Sequence, residues 1–298
     1  MESPSRLIYT DAHCAVGLFR CKPDNPTFEN TGPVRGGHML VFPRTTVRIT
    51  HEGGSPIVAD PNTVMLYNEH QRYVRGKISE RGDLCDWFGF GRESVSEAVR
   101  VFDPSVDTRP DQPFDLTHAP SSSSLYLTQR MIVHHILSDD YVNDSLIHEA
   151  LAAILDQAIA AAYGSRPRRG SAEKAETQRA HRQLANEAKA IVAERYDHPL
   201  TLEQIAEQLY CSLFHLCRIF RQQCGITLHR YLNQMRLRTA LEDLADPYQD
   251  LTALALRSGF SSHSHFSQAF RKSFGLSPSQ LLGAPSQRLQ EMSKNLIA

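Results

Sequence analysis

Apolar positions in the C-terminal third of the chain follow a helical period, and the whole pattern occurs twice. The first copy runs from Leu202 to Thr227 and the second from Leu251 to Ser277. The first part of the copy recurs 49 positions later and the last part 50 positions later, so one residue is inserted between them. We assign that insertion to the second helix of the second copy. A repeat of this length predicts a duplicated supersecondary unit.

Each copy predicts a helix, a short turn and a second helix. Thr201 can cap the first helix with Gln204 completing a capping box, and Asp250 can cap its counterpart. Ser212 and Ser261 stand where the second helices are expected to begin. Each second helix has an apolar face at helical spacing, formed by Leu216, Ile219 and Phe220 in the first copy and by Phe266, Ala269 and Phe270 in the second.

The opposite face of each second helix is largely polar. It carries Phe214, Cys217, Arg218 and Arg221 in the first copy, and His263, Ser264, Ser267, Gln268 and Arg271 in the second. A polar second helix is typical of the helix-turn-helix that reads the major groove of DNA. The alternative is an ordinary helical bundle with a solvated face, and two copies in register favour DNA reading over it.

Over about His181 to Ala284 the chain resembles the DNA-binding domain of the AraC/XylS family of bacterial transcription regulators. The resemblance implies two helix-turn-helix units joined by a rigid helix, here Leu228 to Leu244, which lets one monomer enter two successive major grooves about 34 Å apart. The matching residues include Leu202, Ile205, Ala206, Ser212, Leu216, Arg218, Phe220, Arg221, Gly225, Tyr231, Met235, Arg236, Gly259, Phe266, Phe270, Arg271, Gly275 and Pro278.

The resemblance also implies roles for single residues. It places base-facing positions at Phe214, Cys217 and Arg218, and at His263, Ser264, Ser267 and Gln268. Arg218 is the strongest candidate, because one guanidinium can bond O6 and N7 of guanine together. The candidates for phosphate contacts are Arg221, Arg271 and Lys272.

The distribution of charge supports a cationic C-terminal half. The net charge is −1, but residues 1–163 hold 14 Lys and Arg against 21 Asp and Glu, whereas residues 164–298 hold 18 against 12. The half that carries the repeats is therefore positively charged, as binding to DNA phosphates requires.

The N-terminal half predicts short strands separated by turns rich in Gly and Pro. Such spacing is typical of a sandwich or barrel, and the segment resembles the cupin-like β-barrel sensor domain found in many AraC-type regulators. The fold class is therefore predicted as α+β. The predicted strands are Ala15–Cys21, Met39–Phe42, Thr46–Thr50, Thr63–Tyr67, Tyr73–Ile78 and Leu84–Phe90.

A small barrel can enclose one small ligand. Our candidates for its lining are His38, Arg44, Tyr67, Tyr73 and Trp87. The alternative is that the aromatic residues fill the core and Arg44 pairs with a surface acid. We find no phosphate-binding loop, nucleophile elbow or clustered His-x-His, so we predict a protein that is not an enzyme and holds no cofactor or metal. The six cysteines are expected to be reduced thiols.

The remaining segments complete the predicted organisation. Residues 103–124 are predicted as a loop and 125–162 as helices that break near 138–144, where Asp144 can cap the second helix. These helices either form a dimer interface, as the resemblance implies, or cover the barrel of their own chain. The predicted domains are a barrel at 1–120, a helical segment at 121–163, a linker at 164–180, the DNA-binding domain at 181–285 and a tail at 286–298.

We therefore predict a cytoplasmic, sequence-specific transcription regulator with no signal peptide and no membrane span. Its expected partners are promoter or operator DNA, RNA polymerase, a small-molecule effector and a second copy of the chain. Two alternatives stay open: a cupin-type enzyme with an accessory DNA-binding domain, and a constitutive DNA-binding dimer without an effector.

Overall fold

The computed structural model describes residues 3–30, 32–138, 144–165, 175–244 and 249–282. The chain divides into two compact units between Gly164 and Ser165. In the described residues the first unit is rich in strands and the second consists of helices. This confirms the α+β prediction at the level of a sheet-rich N-terminal part and a helical C-terminal part.

Antiparallel strands of the first unit form two sheets. A six-stranded sheet has the order β1-β2-β8-β3-β6-β9 and a three-stranded sheet has the order β5-β4-β7. Over the residues described, no pairing joins the two sheets, so a closed barrel is not observed. The strands are β1 (Ser5–Thr10), β2 (Cys14–Cys21), β3 (His38–Pro43), β4 (Val47–His51), β5 (Ile57–Ala59), β6 (Thr63–Tyr67), β7 (Tyr73–Lys77), β8 (Asp83–Phe90) and β9 (His118–Pro120).

The six predicted strands correspond to β2, β3, β4, β6, β7 and β8, each within one residue at either end. Sequence reasoning missed β1, β5, β9 and the helix α1 (Arg92–Arg100). β5 and β9 have three residues each, too few to show an alternating pattern. α1 buries only Val95 and Val99, so its apolar face is too narrow to stand out. The predicted loop at 103–124 contains β9 and a 3-10 helix, Pro104–Thr108.

Two further helices complete the first unit: α2 (Ser123–Ser138) and α3 (Asp144–Gly164). The predicted break between them falls at 139–143, outside the described residues. α3 is long and apolar enough to cross a membrane by length and composition alone. It packs against α1, α2 and β9 and buries nine side chains from Leu146 to Ala162, so burial within its own unit accounts for its apolar character.

The second unit contains α4 (Ala175–Arg195), α5 (Leu202–Gln208), α6 (Leu213–Cys224), α7 (Leu228–Asp243), α8 (Leu251–Arg257), α9 (His263–Phe274) and α10 (Pro278–Leu281). α4 begins at Ala175, so residues 175–180 of the predicted linker are helical. The rest of that linker from residue 166, and the predicted tail at 286–298, lie outside the described residues. α7 begins at the predicted residue and packs against α6, α8 and α9.

A buried ion pair crosses the space between the two sheets. Nε of Arg75 on β7 lies 2.5 Å from Oδ2 of Asp83 on β8, and both side chains are at least 94% buried. Arg75 also donates to the carbonyl of Phe28 at 2.6 Å and to the hydroxyl of Tyr73 at 3.1 Å. Burial raises the pKa of the Asp83 carboxyl, and Arg75 opposes that shift.

We expect Asp83→Asn to reduce the free energy of unfolding of the first unit by about 3–5 kcal/mol, because it leaves a buried guanidinium without its counter-charge. Urea unfolding followed by tryptophan fluorescence reports on this unit, since Trp87 on β8 is the single tryptophan.

The matched control is Glu80→Gln, which breaks the exposed pair between Lys77 and Glu80. Exposed pairs contribute about 0–1 kcal/mol, so the control is expected to unfold close to the unmodified protein. Equal losses in the two variants would contradict the special role of the buried pair.

Candidate nucleic-acid interface and ligand cavity

Side-chain caps fix where the helices of the first helix-turn-helix begin. Thr201 and Gln204 form the predicted capping box, with each side chain bonded to the other's backbone N–H at 3.2 and 3.0 Å. The Ser212 hydroxyl accepts the N–H of His215 at 3.2 Å and starts α6. These caps satisfy backbone donors that a helix leaves free at its N-terminus, and they confirm the prediction.

The second helix-turn-helix differs in its turn. Asp250 accepts the N–H of Thr252 at 2.8 Å, as expected of its cap role. α9 is capped by Ser262, which accepts the N–H of His265 at 3.2 Å, so the expected start at Ser261 was wrong by one residue. α6 and α9 both have 12 residues. The inserted residue therefore lies in the turn and not in the second helix, where adjacent serines offer two possible caps.

Burial of one face determines how α6 and α9 are oriented. Leu216, Ile219 and Phe220 are fully buried in α6, which packs on α4, α5 and α7. In α9 the residues Phe266 and Phe270 are fully buried. The predicted inward faces are thus confirmed for these residues. The polar face of each helix lies on the side opposite its buried face, so it points away from the core.

The outward face of α6 holds the first set of DNA-contact candidates. Phe214 is 79% exposed, and Arg218 and Arg221 are exposed with no ion-pair partner among the described residues. Cys217 is half-buried, and burial, together with nearby Glu203, raises the pKa of its thiol. The face therefore presents two free guanidinium groups, an apolar ring and a neutral thiol.

The outward face of α9 holds the second set. Ser264, Gln268, Arg271 and Lys272 are exposed. His263 and Ser267 are half-buried, and His263 Nε2 lies 3.2 Å from the Ser267 hydroxyl. An open groove on this face is lined by four of the candidates and by two residues that were not predicted: Ser264, Ser267, Gln268 and Arg271, with His265 and Ser277.

Tyr210 is a further candidate that sequence reasoning missed. It lies in the turn before α6, is 98% exposed and has a φ of +51°. The 49-residue repeat aligns Tyr210 with Gly259, whose φ is +82°. This alignment with a glycine in a turn could have indicated from the sequence that Tyr210 has a positive φ. A left-handed conformation costs a residue other than Gly about 1–2 kcal/mol. An exposed aromatic ring held under such strain beside the first outward face is typical of a functional position.

Arg236 of α7 links three parts of the second unit. Its Nε donates to the carbonyl of Tyr196 at 2.7 Å and its Nη2 to that of His198 at 3.1 Å. A Cβ atom at Gly259 would lie 2.8 Å from this Nε and 2.9 Å from the Tyr196 carbonyl oxygen. The second turn, α7 and the segment after α4 therefore meet at a point where only Gly fits.

The first unit contains a cavity of about 410 Å³ between its two sheets. Met39, Val41 and Met65 form part of its wall on the six-stranded sheet, and Val47 and Ile49 face them from the three-stranded sheet. Polar groups at the cavity come from Tyr67, Tyr73, Arg75, Asp83 and Cys85. Arg35, Pro43 and Trp87 also line it.

Three of the five predicted lining residues, Tyr67, Tyr73 and Trp87, line this cavity, whereas His38 and Arg44 do not. His38 is adjacent to Met39, and successive side chains of a strand point to opposite faces. Its ring lies on the other face of the sheet, where Nδ1 accepts the N–H of Glu69 at 3.2 Å and burial lowers its pKa.

Arg44 also lies on that other face. Its Nη1 is 3.7 Å from Oδ1 of Asp86, and Arg130 of α2 lies 2.6 Å from the second carboxyl oxygen. Asp86 is fully buried, so the acid that Arg44 pairs with belongs to the core and not to the surface. The side-chain direction of Arg44 after the end of β3 was not readable from the sequence.

Trp87 reaches the cavity because its partner on β2 is a glycine. Gly17 pairs with Trp87 in the sheet, and a Cβ atom there would lie 2.2 Å from the indole ring. The indole N–H donates to the Ser5 hydroxyl at 3.1 Å. The absent side chain thus lets the ring lie flat over β2 at one end of the cavity.

Comparison with known proteins places the second unit in a defined class. A family profile described as a helix-turn-helix domain matches residues 205–284. A RhaS transcriptional activator from a strain of Escherichia coli is 43% identical over 76 residues, which are 26% of this chain and 27% of that protein. A RhaS activator from Klebsiella pneumoniae is 37% identical over 93 residues, or 31% of this chain and 34% of that protein.

These matches cover only about a quarter to a third of the length of the curated relatives. The C-terminal domain of AraT, a response regulator from Geobacillus stearothermophilus, is 31% identical over 33% of this chain and 82% of that chain, with a TM-score of 0.32. A TM-score this low does not establish a shared overall fold. The similarity is thus to helix-turn-helix transcriptional activators, and in these comparisons it lies in the C-terminal part of the chain.

We expect Gly259→Ala to weaken DNA binding and to destabilise the second unit by more than Gly275→Ala does. Both glycines have positive φ values, +82° and +76°, but only Gly259 has backbone and Arg236 atoms within 3 Å of the added carbon. Strain alone costs about 1 kcal/mol, and the clash adds to it at Gly259. Thermal unfolding and DNA affinity of both variants would show the difference, and equal effects would contradict it.

Proposed function

We propose that this protein is a sequence-specific transcription regulator that binds double-stranded promoter DNA with α6 and α9. The observation that carries the proposal is the pair of outward faces, each anchored by a buried apolar face and each bearing unpaired cationic side chains. Cationic groups supply the salt-dependent attraction to phosphates, and exposed polar groups on a helix can contact base edges in the major groove.

The two faces have different chemistry, and we assign them different roles. Arg218 and Phe214 on α6 combine a guanidinium, suited to guanine, with a ring that can pack on thymine methyl groups. The face of α9 offers Gln268, suited to adenine, within the groove that Arg271 also lines. We therefore expect stronger base discrimination from α6 and a larger phosphate contribution from α9.

The cavity of the first unit supports a regulatory ligand. Its volume of about 410 Å³ lies in the range of small-molecule sites, and most of its wall is apolar. Arg75 is already paired with Asp83 inside it, and the remaining charged side chain of the lining is Arg35, which is exposed to solvent. We propose that a small, mainly apolar molecule binds here and shifts the population of DNA-binding states.

Several finer assignments belong to the same proposal. The two sheets around a ligand cavity support a cupin-like sensor, with α2 and α3 as candidates for the interface of a homodimer. Action as an activator, named for the relatives, requires contact with RNA polymerase at the promoter. The competing roles are a cupin-type enzyme and a constitutive DNA-binding dimer, and an empty cavity in the functioning protein would favour the second.

We expect Arg218→Ala to reduce affinity for the selected DNA site by about 1–3 kcal/mol and to relax specificity at one base pair. The measurement begins with selection of bound sequences from a random DNA pool by the full chain at fixed salt. Affinities for the selected site and for single-base variants then show which position lost its discrimination.

Arg221→Ala, one helical turn further along α6, is the matched control. As a phosphate contact it is expected to weaken all sequences about equally and to reduce the salt dependence of binding. If Arg218→Ala also weakened every sequence alike, Arg218 would be a phosphate contact. Selection without any enriched site would contradict sequence-specific binding altogether.

We expect Val41→Phe to weaken binding of an apolar probe in the cavity by roughly tenfold or more, because overpacking costs about 1–3 kcal/mol and 1.4 kcal/mol is tenfold. N-Phenyl-1-naphthylamine, a fluorescent probe without a charge, is suitable. Energy transfer from Trp87, which lines the same cavity, identifies the probe molecules bound there.

Val74→Phe controls for the added ring, since Val74 is 53% exposed and outside the lining. It should leave the energy transfer unchanged. Equal transfer in both variants and in the unmodified protein would place the probe elsewhere and remove the support for a ligand cavity.

A further inference from the structure

Three side chains with metal-binding atoms meet in the first unit, away from the cavity. Asp11 lies in the turn between β1 and β2, Cys14 begins β2, and His148 lies in the second turn of α3. One ligand atom each from Asp11, Cys14 and His148 fall within 4.8 Å of one another. The β1–β2 hairpin and α3 thus bring sulfur, nitrogen and oxygen donors to one place.

One of the distances already fits the coordination of a small divalent cation. Cys14 Sγ lies 3.4 Å from Asp11 Oδ2, and tetrahedral zinc with its usual bond lengths to sulfur and oxygen separates two such atoms by about 3.6 Å. His148 Nε2 is hydrogen-bonded to the same carboxyl oxygen, so a bound ion would replace that hydrogen bond and separate the two atoms to about 3.4 Å. Asp144 lies one helical turn before His148, so both side chains project from the same face of α3.

Neighbouring groups hold the carboxyl of Asp11 in a fixed orientation. Its Oδ1 accepts the backbone N–H groups of His13 at 2.6 Å and Cys14 at 2.9 Å, which directs Oδ2 toward the other donors. The Tyr9 hydroxyl lies 3.1 Å from Asp11 Oδ2 and 3.0 Å from Asp144 Oδ1, so it bridges the two carboxyls. Outer contacts of this kind orient the ligands in protein metal sites.

We propose that Asp11, Cys14 and His148 bind one zinc-class divalent transition metal. A mixed set of thiolate, imidazole and carboxylate suits Zn²⁺ better than Mg²⁺ or Ca²⁺, which prefer oxygen ligands alone. Three protein ligands leave the fourth tetrahedral position to water, and Asp144, linked to Asp11 through the Tyr9 hydroxyl, would orient that ligand from outside. The ion would join the β1–β2 hairpin to α3.

The test uses the full chain without an affinity tag, stripped of metal by a chelator. Equilibrium dialysis against Zn²⁺ with elemental analysis is expected to give one ion per chain. Co²⁺ in place of Zn²⁺ is expected to produce the charge-transfer absorption of a Co–thiolate bond. Zn²⁺ should also raise the temperature at which the first unit unfolds, because an ion that binds only the folded state stabilises it.

Cys14→Ser and His148→Gln are expected to weaken Zn²⁺ binding by roughly tenfold or more, since even outer-shell losses cost 10- to 100-fold. Cys14→Ser should also abolish the charge-transfer absorption. His13→Gln and Cys211→Ser are the matched controls, because neither side chain belongs to the cluster, and both should bind as the unmodified protein does. Circular dichroism and urea unfolding followed by Trp87 fluorescence show whether the first unit of each variant is folded.

Two results would overturn the proposal. One is no stoichiometric binding to the unmodified chain, which would leave His148 and Asp11 as a simple ion pair. The other is Zn²⁺ binding of unchanged affinity in the folded double variant Cys14→Ser/His148→Gln, which would place the ion elsewhere. Neither result bears on the DNA-binding function, which involves the other unit.

Discussion

The need to bury one apolar face of α6 and one of α9 constrains the whole second unit. Leu216 and Phe220 in α6, and Phe266 and Phe270 in α9, have no exposed surface, and each helix is only 12 residues long. Isolated helices of that length are marginal in water. Packing therefore supplies both their stability and their orientation. The contacts of the buried face fix the rotation of each helix, and this sets the direction of its outward face. Changing the core of this unit would misplace the contact residues without touching them.

The features that could be predicted from the sequence are those set by local periodicity and capping. Helical spacing and the hydroxyl side chains at Thr201 and Ser212 located the first helix pair, and the repeat located the second. The position of the inserted residue could not be predicted, because Ser261 and Ser262 are equally good caps by sequence. The structure shows that Ser262 is the cap of α9. Alternating runs located six strands, whereas β5 and β9 are too short to show a period.

Contacts between distant segments could not be predicted in the same way. The side-chain direction of His38 depends on the register of β3, and a shift of one residue reverses it. The pairing of Asp86 with both Arg44 and Arg130 joins three segments, and the cluster of Asp11, Cys14 and His148 joins two. Sequence reasoning considered the histidines and cysteines separately, because nothing in their spacing shows that the β1–β2 turn meets α3.

The ligand cavity shows how stability and regulation can depend on the same residues. A cavity within a core forfeits packing contacts, and the buried pair of Arg75 and Asp83 adds the desolvation of two charges. A ligand that fills the space restores the lost contacts, so its binding stabilises the arrangement of the two sheets that surrounds it. Regulation follows only if that arrangement differs between DNA-binding states, since a ligand with equal affinity for both shifts nothing. Met39 and Ile49 line the cavity from the two different sheets. A change in the spacing of the sheets would therefore alter their contacts with a ligand directly.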